Sequence, residues 1–309
     1  MGDGIKNFIE GILKELDIDE QKKKDLEREL MENFEEEKEE LLRMGIKEEE
    51  AEMRILERFG DQDKFRRRLL FIHGFGRFSE NSFKDGFLGS IPILLGTLLI
   101  FLYSTFHLLG FTIEIPNIIS TLLFGISLLI SIFAFSKGFP AWSFPWAGIT
   151  FLYLAQLLLF FSSIYKLFFI PVILFSLLLL LSIYAIFKLS NFKKGLGLTL
   201  LFLLPLSIPF AFYGSDEMVL KYKILFQIII GLSATLFTFF LLHFRLRLSY
   251  LFSLMGFILY TLSYLYIILS PHTFTGEENL FYLFLGYSIP LLLLISVPFY
   301  FFLKERVLD

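Results

Sequence analysis

Inside or beside the apolar stretches between positions 87 and 303, residues with types suited to chemistry are few. Ser233 follows a glycine in Gly231-Leu232-Ser233-Ala234, a local context in which serine nucleophiles occur. Such a serine needs a base within hydrogen-bond reach. His243 lies ten residues further along the same expected helix, about 15 Å away. Close packing of small residues against a neighbouring helix accounts for the run Gly231, Ser233, Ala234, Thr235 without any chemistry. His107 and His243 belong near opposite faces of the membrane, too far apart to share a metal ion or a proton relay. Gln156 and Gln227 are the remaining polar candidates in these segments. The chain has no cysteine, which removes thiolate catalysis, disulfides and Cys-ligated metals. There is no phosphate loop, no His-Glu-x-x-His, no intramembrane carboxylate pair and no intramembrane lysine for a Schiff base. The expectation is therefore a non-enzyme with no catalytic residue, no cofactor and no metal site.

The elements that must position these residues are apolar helices. Eight stretches, at 87–109, 117–136, 144–164, 167–187, 196–213, 224–243, 248–269 and 280–303, contain no Asp, Glu, Lys or Arg. Each has about the 20 residues that cross a bilayer as a helix. They are continuously apolar rather than alternating, which argues against barrel strands. Pro205 and Pro209, four apart in the fifth stretch, should kink or break it. A broken helix is a possible substrate region in a carrier, and packing alone also accommodates one. The fold class read from the sequence is all-α: a small cytosolic helical domain (1–72), a basic juxtamembrane linker (73–86), and an eight-span bundle (87–309).

Orientation follows from the Lys and Arg residues in the connectors. With the N-terminus in the cytosol, Lys137, Lys188, Lys193, Lys194, Arg245, Arg247, Lys304 and Arg306 fall inside. Lys166, Lys221 and Lys223 fall outside, together with Glu114, Asp216, Glu217, Glu277 and Glu278. An even span number returns the C-terminus to the cytosol, so the expected location is a cell membrane, multi-pass, with both termini cytoplasmic. Trp142 and Trp146, beside Pro140 and Pro145, are expected at the inner interface.

Residues 1–86 contrast with this region, carrying seventeen Lys and Arg against twenty-four Asp and Glu. A net-acidic segment does not bind nucleic acid by itself. Its apolar spacing gives four helices. The first, at 4–16, has a stripe of Ile5, Phe8, Ile9, Ile12, Leu13 and Leu16. The second opens at a capping box, Asp17-Ile-Asp-Glu20, and closes at Gly45. The third covers 47–59 and ends at Gly60; Asp61 caps a fourth carrying Phe65, Leu69 and Leu70. The run Glu35, Glu36, Glu37, Glu39 and Glu40 reads as a solvated helix face.

Met44-Gly45-Ile46-Lys47-Glu48-Glu49-Glu50-Ala51, followed by Ile55-Leu56-Glu57-Arg58-Phe59-Gly60-Asp61, resembles the HAAS-type signalling domain and the related permease-prefix domain. The resemblance covers about residues 5–70. It implies a small helical module ahead of membrane spans, with a PadR-like regulator or an ABC-type component as partner, and it carries over no catalytic residue. Gln62 stands where the family often has Pro, and Glu32-Asn33 replaces an acidic-His pair.

Lys64, Arg66, Arg67, Arg68, Arg77 and Lys84, interleaved with Phe and Leu, suit contact with an anionic leaflet. The leading expectation is an adaptor whose cytosolic domain docks a protein partner, with Phe34, Phe59 and Glu35–Glu40 as the docking face. The alternatives are a transporter or permease subunit for a neutral or lipid-like substrate, with its site at Pro205/Pro209, and an assembly factor for a membrane complex.

Overall fold

A computed structural model of the chain describes residues 3–14, 16, 18, 20–79, 81–109, 115–165, 169–207, 217–243 and 245–269. Every regular element among them is helical: α1 (Asp3–Lys14), α2 (Glu20–Arg43), α3 (Glu48–Phe59), α4 (Gln62–Gly74), α5 (Ser82–Leu108), α6 (Ile115–Ser136), α7 (Phe144–Tyr165), α8 (Phe169–Leu189), α9 (Phe192–Ser207), α10 (Glu217–Leu242) and α11 (Leu246–Leu269), with one 3-10 turn at Ala141–Ser143. The all-α class expected from the sequence is met. Asp17, Glu114, Lys166, Pro209, Asp216, the stretch 280–303 and Glu277, Glu278, Lys304 and Arg306 lie outside the described residues.

The chain divides into two compact units. The first is Met1–Arg77 with Phe133–Phe139; the second is Phe78–Ile132 with Pro140–Asp309. In the first unit, α1 to α4 bury the stripes that the spacing predicts: Ile5, Ile9 and Ile12 from α1, Leu26 and Leu30 from α2, Ile55 from α3, Leu69 and Leu70 from α4. Each helix adds one ring to a chain of aromatics. Phe8 and Phe34 are 6.2 Å apart, Phe34 and Phe59 4.4 Å, Phe59 and Phe65 5.3 Å. Burial of such rings and aliphatic chains supplies the main favourable term, at about 25 cal/mol per Å² of apolar surface.

Local signals set the helix ends. Gly45, at φ 85°, ends α2 in a Schellman arrangement. There the Ile46 N–H donates to the Leu41 carbonyl and the Gly45 N–H to Leu42. Gly60 closes α3, its N–H donating to Leu56. The Asp61 carboxylate accepts the Asp63 N–H at 3.0 Å and opens α4. Gln62, the departure from the resembled family, donates its side-chain amide to the Phe8 carbonyl at 2.9 Å, tying α4 to α1.

In the second unit the helices coincide with the first seven expected spans, but α5 starts earlier than the sequence places it and takes in Lys84 and Asp85. Among the described residues, two segments, Ser82–Phe106 and Ile118–Ser136, are long and apolar enough to cross a membrane; two shorter ones, Ile173–Leu189 and Ile228–Leu242, are apolar. α5 and α10 pack antiparallel at very short range. A Cβ on Gly86 would stand 2.8 Å from the Phe239 carbonyl oxygen, and one on Gly231 would run into the Thr97 side chain.

Candidate functional site

Three groups of residues stand out, and each is built differently from its sequence expectation. The first is the seam of the second unit. Proline at position 92 has no N–H, so the Leu88 carbonyl one turn earlier loses its normal helical donor. The Trp146 indole N–H supplies the replacement, donating to the Leu88 oxygen at 2.9 Å. Trp146 is only 4% exposed, so it is a buried strut between α5 and α7 and not the interfacial anchor expected. The Gly-x-Ser run resolves as packing. Ser233 donates to the Ile229 carbonyl of its own helix at 2.7 Å, and Gly231 makes room for Thr97. Buried threonines repeat the device, Thr97 donating to Ile93, Thr150 to Trp146, Thr235 to Gly231 and Thr238 to Ala234.

The second is a polar cluster at one end of that seam. Asp85 is 1% exposed and accepts the Ser79 N–H, while the Ser82 hydroxyl lies 3.1 Å from His243 Nδ1. The His243 ring packs against Phe83 and Phe239. His243 thus meets a hydroxyl on α5 and not Ser233, and no group of three or more His, Asp or Glu among the described residues is arranged to hold a metal. The side chains of His107 and Gln227 are outside the described residues. Pro205 is buried within α9, which continues to Ser207, and its ring packs where Gly148 has no side chain. Nothing brings a second broken helix to it among the described residues.

The third is the first unit. Phe34, offered as a docking ring, is 1% exposed and belongs to the core, and the Phe59 ring packs against it at a tilt of 54°. The amphipathic stripe that made Phe34 conspicuous is the one that buries it. Glu35, Glu36, Glu39 and Glu40 are exposed, as expected. Glu37 instead faces Arg58, joining α2 to α3. Beside it the acidic run is interrupted by Lys38, whose buried ammonium donates to Glu48 and Glu52, each at 2.6 Å. Those bonds, Glu48 first, hold Lys38 above the ordinary lysine pKa against the opposing effect of burial; the Lys38 bond holds Glu48 below the ordinary carboxyl value. The pattern of charges reads as one solvated face from sequence, and only the fold shows that its one cation points inward.

The last turn of α6 completes the first unit. Gly138 (φ 77°) and Phe139 (φ 53°) end the helix, with the Phe139 N–H donating to the Ala134 carbonyl. The Gly76 N–H donates to the Phe139 carbonyl at 2.8 Å. A Cβ on Gly138 would fall on the Leu70 carbonyl oxygen and 2.8 Å from its carbon. Phe71 and Phe75 of this α4 end lie 6.3 and 6.4 Å from Phe135 and Phe139. Of the expected membrane-surface cations, Lys64, Arg67, Arg68 and Lys84 are exposed, whereas Arg66 and Arg77 are half-buried, Arg66 at 2.8 Å from Asp63.

Comparisons of the chain with family models, with curated proteins and with solved structures return no match.

Proposed function

We propose that the chain is a multi-pass membrane protein of eight spans whose N-terminal helical domain docks a protein partner from the cytosolic side, as a regulatory adaptor and not an enzyme. One observation carries the membrane part: the second unit presents long apolar stripes on its outside while burying small hydroxyl residues. Its small hydroxyl residues Ser90, Thr97, Ser127, Thr150, Thr199 and Thr238 are buried. Beside a buried apolar set that includes Ile93, Phe144, Leu198, Phe202 and Leu242, it leaves many large apolar side chains exposed. On α6 they form a stripe of Ile118, Leu122, Ile126 and Leu129, and on α8 one of Ile173, Leu177, Leu180 and Tyr184. Water would penalise those surfaces, whereas hydrocarbon would not. All of these hydroxyl residues but Ser127 donate to a carbonyl of their own helix, which suits a medium without water.

Helix ends support the proposed topology. The starts of α5 and α7 and the end of α10 meet at one end of the second unit, through Leu88, Trp146, Ser82 and His243. That is the arrangement expected if the first and third spans leave the cytosol and the sixth returns to it. The connectors at this end hold Lys84, Lys188, Lys193, Lys194, Arg245 and Arg247, in keeping with the positive-inside bias.

For the adaptor role, support comes from the exposed acidic face of α2, now reduced to Glu35, Glu36, Glu39 and Glu40, and from the HAAS and permease-prefix resemblance. The test is to purify the full chain from gently solubilised membranes beside a variant with these four glutamates changed to lysine. A specific regulator or ATPase subunit that leaves with the charge reversal supports docking on α2. Identical companions in both preparations would sink it.

A further inference from the structure

We propose that α4 is a membrane-surface helix that binds anionic lipid headgroups through Lys64, Arg67 and Arg68 while Ile72 enters the acyl boundary. This rests on the membrane reading of α6 given above. The residues at 64, 67, 68, 71 and 72 follow helical spacing and share one face of α4. The opposite face, with Phe65, Leu69 and Leu70, is committed to the domain core. Along the outer face the chemistry changes in order. Lys64, Arg67 and Arg68 are exposed cations; about one turn further on, Phe71 and Ile72 are apolar, and Ile72 is 58% exposed.

The direction of that change matches a bilayer surface, because the apolar end of α4 is the end packed on the last turn of α6. Phe71 meets Phe135, and Phe133 and Phe135 are themselves exposed apolar residues on a segment long enough to span. If α6 ends at the membrane surface, the apolar end of α4 lies at the acyl boundary and its cationic end among the headgroups. Asp63, the acid within α4, pairs with Arg66 on the flank and not with the outer cations. The remainder of the domain is net acidic, so on balance an anionic leaflet would repel it. The charge pattern thus makes the outer face of α4 the side of the domain suited to an anionic surface, and the acidic face of α2 the side that is not.

The chain lacks cysteine, so single labels can be placed without a background. Nitroxides at Ile72→Cys, Met53→Cys and Leu129→Cys would be read in the full chain, reconstituted in vesicles of phosphatidylcholine with and without phosphatidylglycerol, by collision with oxygen and with a water-soluble nickel chelate. With phosphatidylglycerol, the label at 72 should be shielded from the chelate and that at 53 should not. Each cation near such a surface is worth roughly fivefold in occupancy, so Lys64→Ser with Arg67→Ser and Arg68→Ser should release α4 by on the order of a hundredfold. Equal chelate access at 72 in both lipids, or equal shielding at 53 and 72, would overturn the proposal. The label at 129 separates the two claims. If it reports hydrocarbon while 72 reports water, α6 is embedded and only the α4 proposal fails. If 129 also reports water, the membrane reading fails and takes the proposal with it.

Discussion

Replacing Trp146 by Phe tests whether the indole has the role that its geometry implies. Pro92 leaves the Leu88 carbonyl without a helical donor, and the Trp146 N–H meets that oxygen at 2.9 Å in a buried position. Phe keeps most of the ring and removes the donor. The orphaned carbonyl should then cost about 1–3 kcal/mol. Pro92→Ala restores an N–H at position 92, which can reach the Leu88 oxygen within the helix. Combined with Trp146→Phe, that change should recover about 1–2 kcal/mol, whereas in the parent it should do little, since the oxygen is already satisfied. The assay is equilibrium unfolding of the full chain in mixed micelles for the parent, both single variants and the double variant. An isotope-edited infrared band for the Leu88 carbonyl would report the bond directly, moving to higher frequency only in the Trp146→Phe single variant. Strictly additive costs, with no shift of that band, would refute the reasoning, because two residues sharing one acceptor cannot be independent.

Gly138→Ala should open the α4–α6 junction, since it adds a left-handed penalty of about 1–2 kcal/mol and a clash with the Leu70 backbone. Gly60→Ala, with φ 73° and nothing within 4 Å of its Cβ, is the matched control, and hydrogen exchange at the Gly76 amide should rise at least tenfold in the first variant only. Phe34→Ala should destabilise the first unit by about 3–5 kcal/mol, while Glu36→Ala stays within about 0.5 kcal/mol, measured by exchange of the α1–α4 amides. Lys38→Met should lower protection of α3 roughly tenfold by leaving Glu52 without its cation. The Lys38 contribution is complete below the ordinary lysine value of 10.5 and is lost as pH rises through the raised one; that of Glu48 is complete above 4.5 and is lost as pH falls through the lowered one. Protection of α3 should therefore be flat between those values and fall outside them, and a variant lacking Lys38 should show neither limb.

What the sequence made legible depended on the range of the interaction. The ends of α2, α3 and α4 could be read because Gly45, Gly60 and Asp61 act on backbone groups within a few residues of themselves. The core stripes were legible for the same reason, since helical periodicity is a local property. Phe34 shows the limit: periodicity marks a ring as lying on the apolar face but does not say whether that face meets its own domain or a partner. Lys38 shows another, because a cation within five glutamates looks solvated until α3 brings Glu48 and Glu52 to it.

The residues missed altogether are those whose partners are far along the chain. Nothing near Pro92 in the sequence announces Trp146, fifty-four residues later. Asp85 falls outside the first apolar stretch, because a span read from charge ends at its last ionisable group. The fold instead buries that carboxylate against the Ser79 amide, so α5 can begin at Ser82 without exposing Asp85. Gly138 could be recognised as a helix terminator, but not as the point where the Leu70 backbone comes too close for any side chain. These three positions share a physical cause. Where helices meet through close backbone approach, specificity falls to backbone carbonyls, proline and glycine, whose roles depend on which other helix arrives beside them. Hydropathy, which sorts side chains by their average preference, is blind to this. A sequence can therefore state clearly that its helices are apolar and still say little about which pairs meet, and Pro92 with Trp146 is the pair where the distinction can be measured.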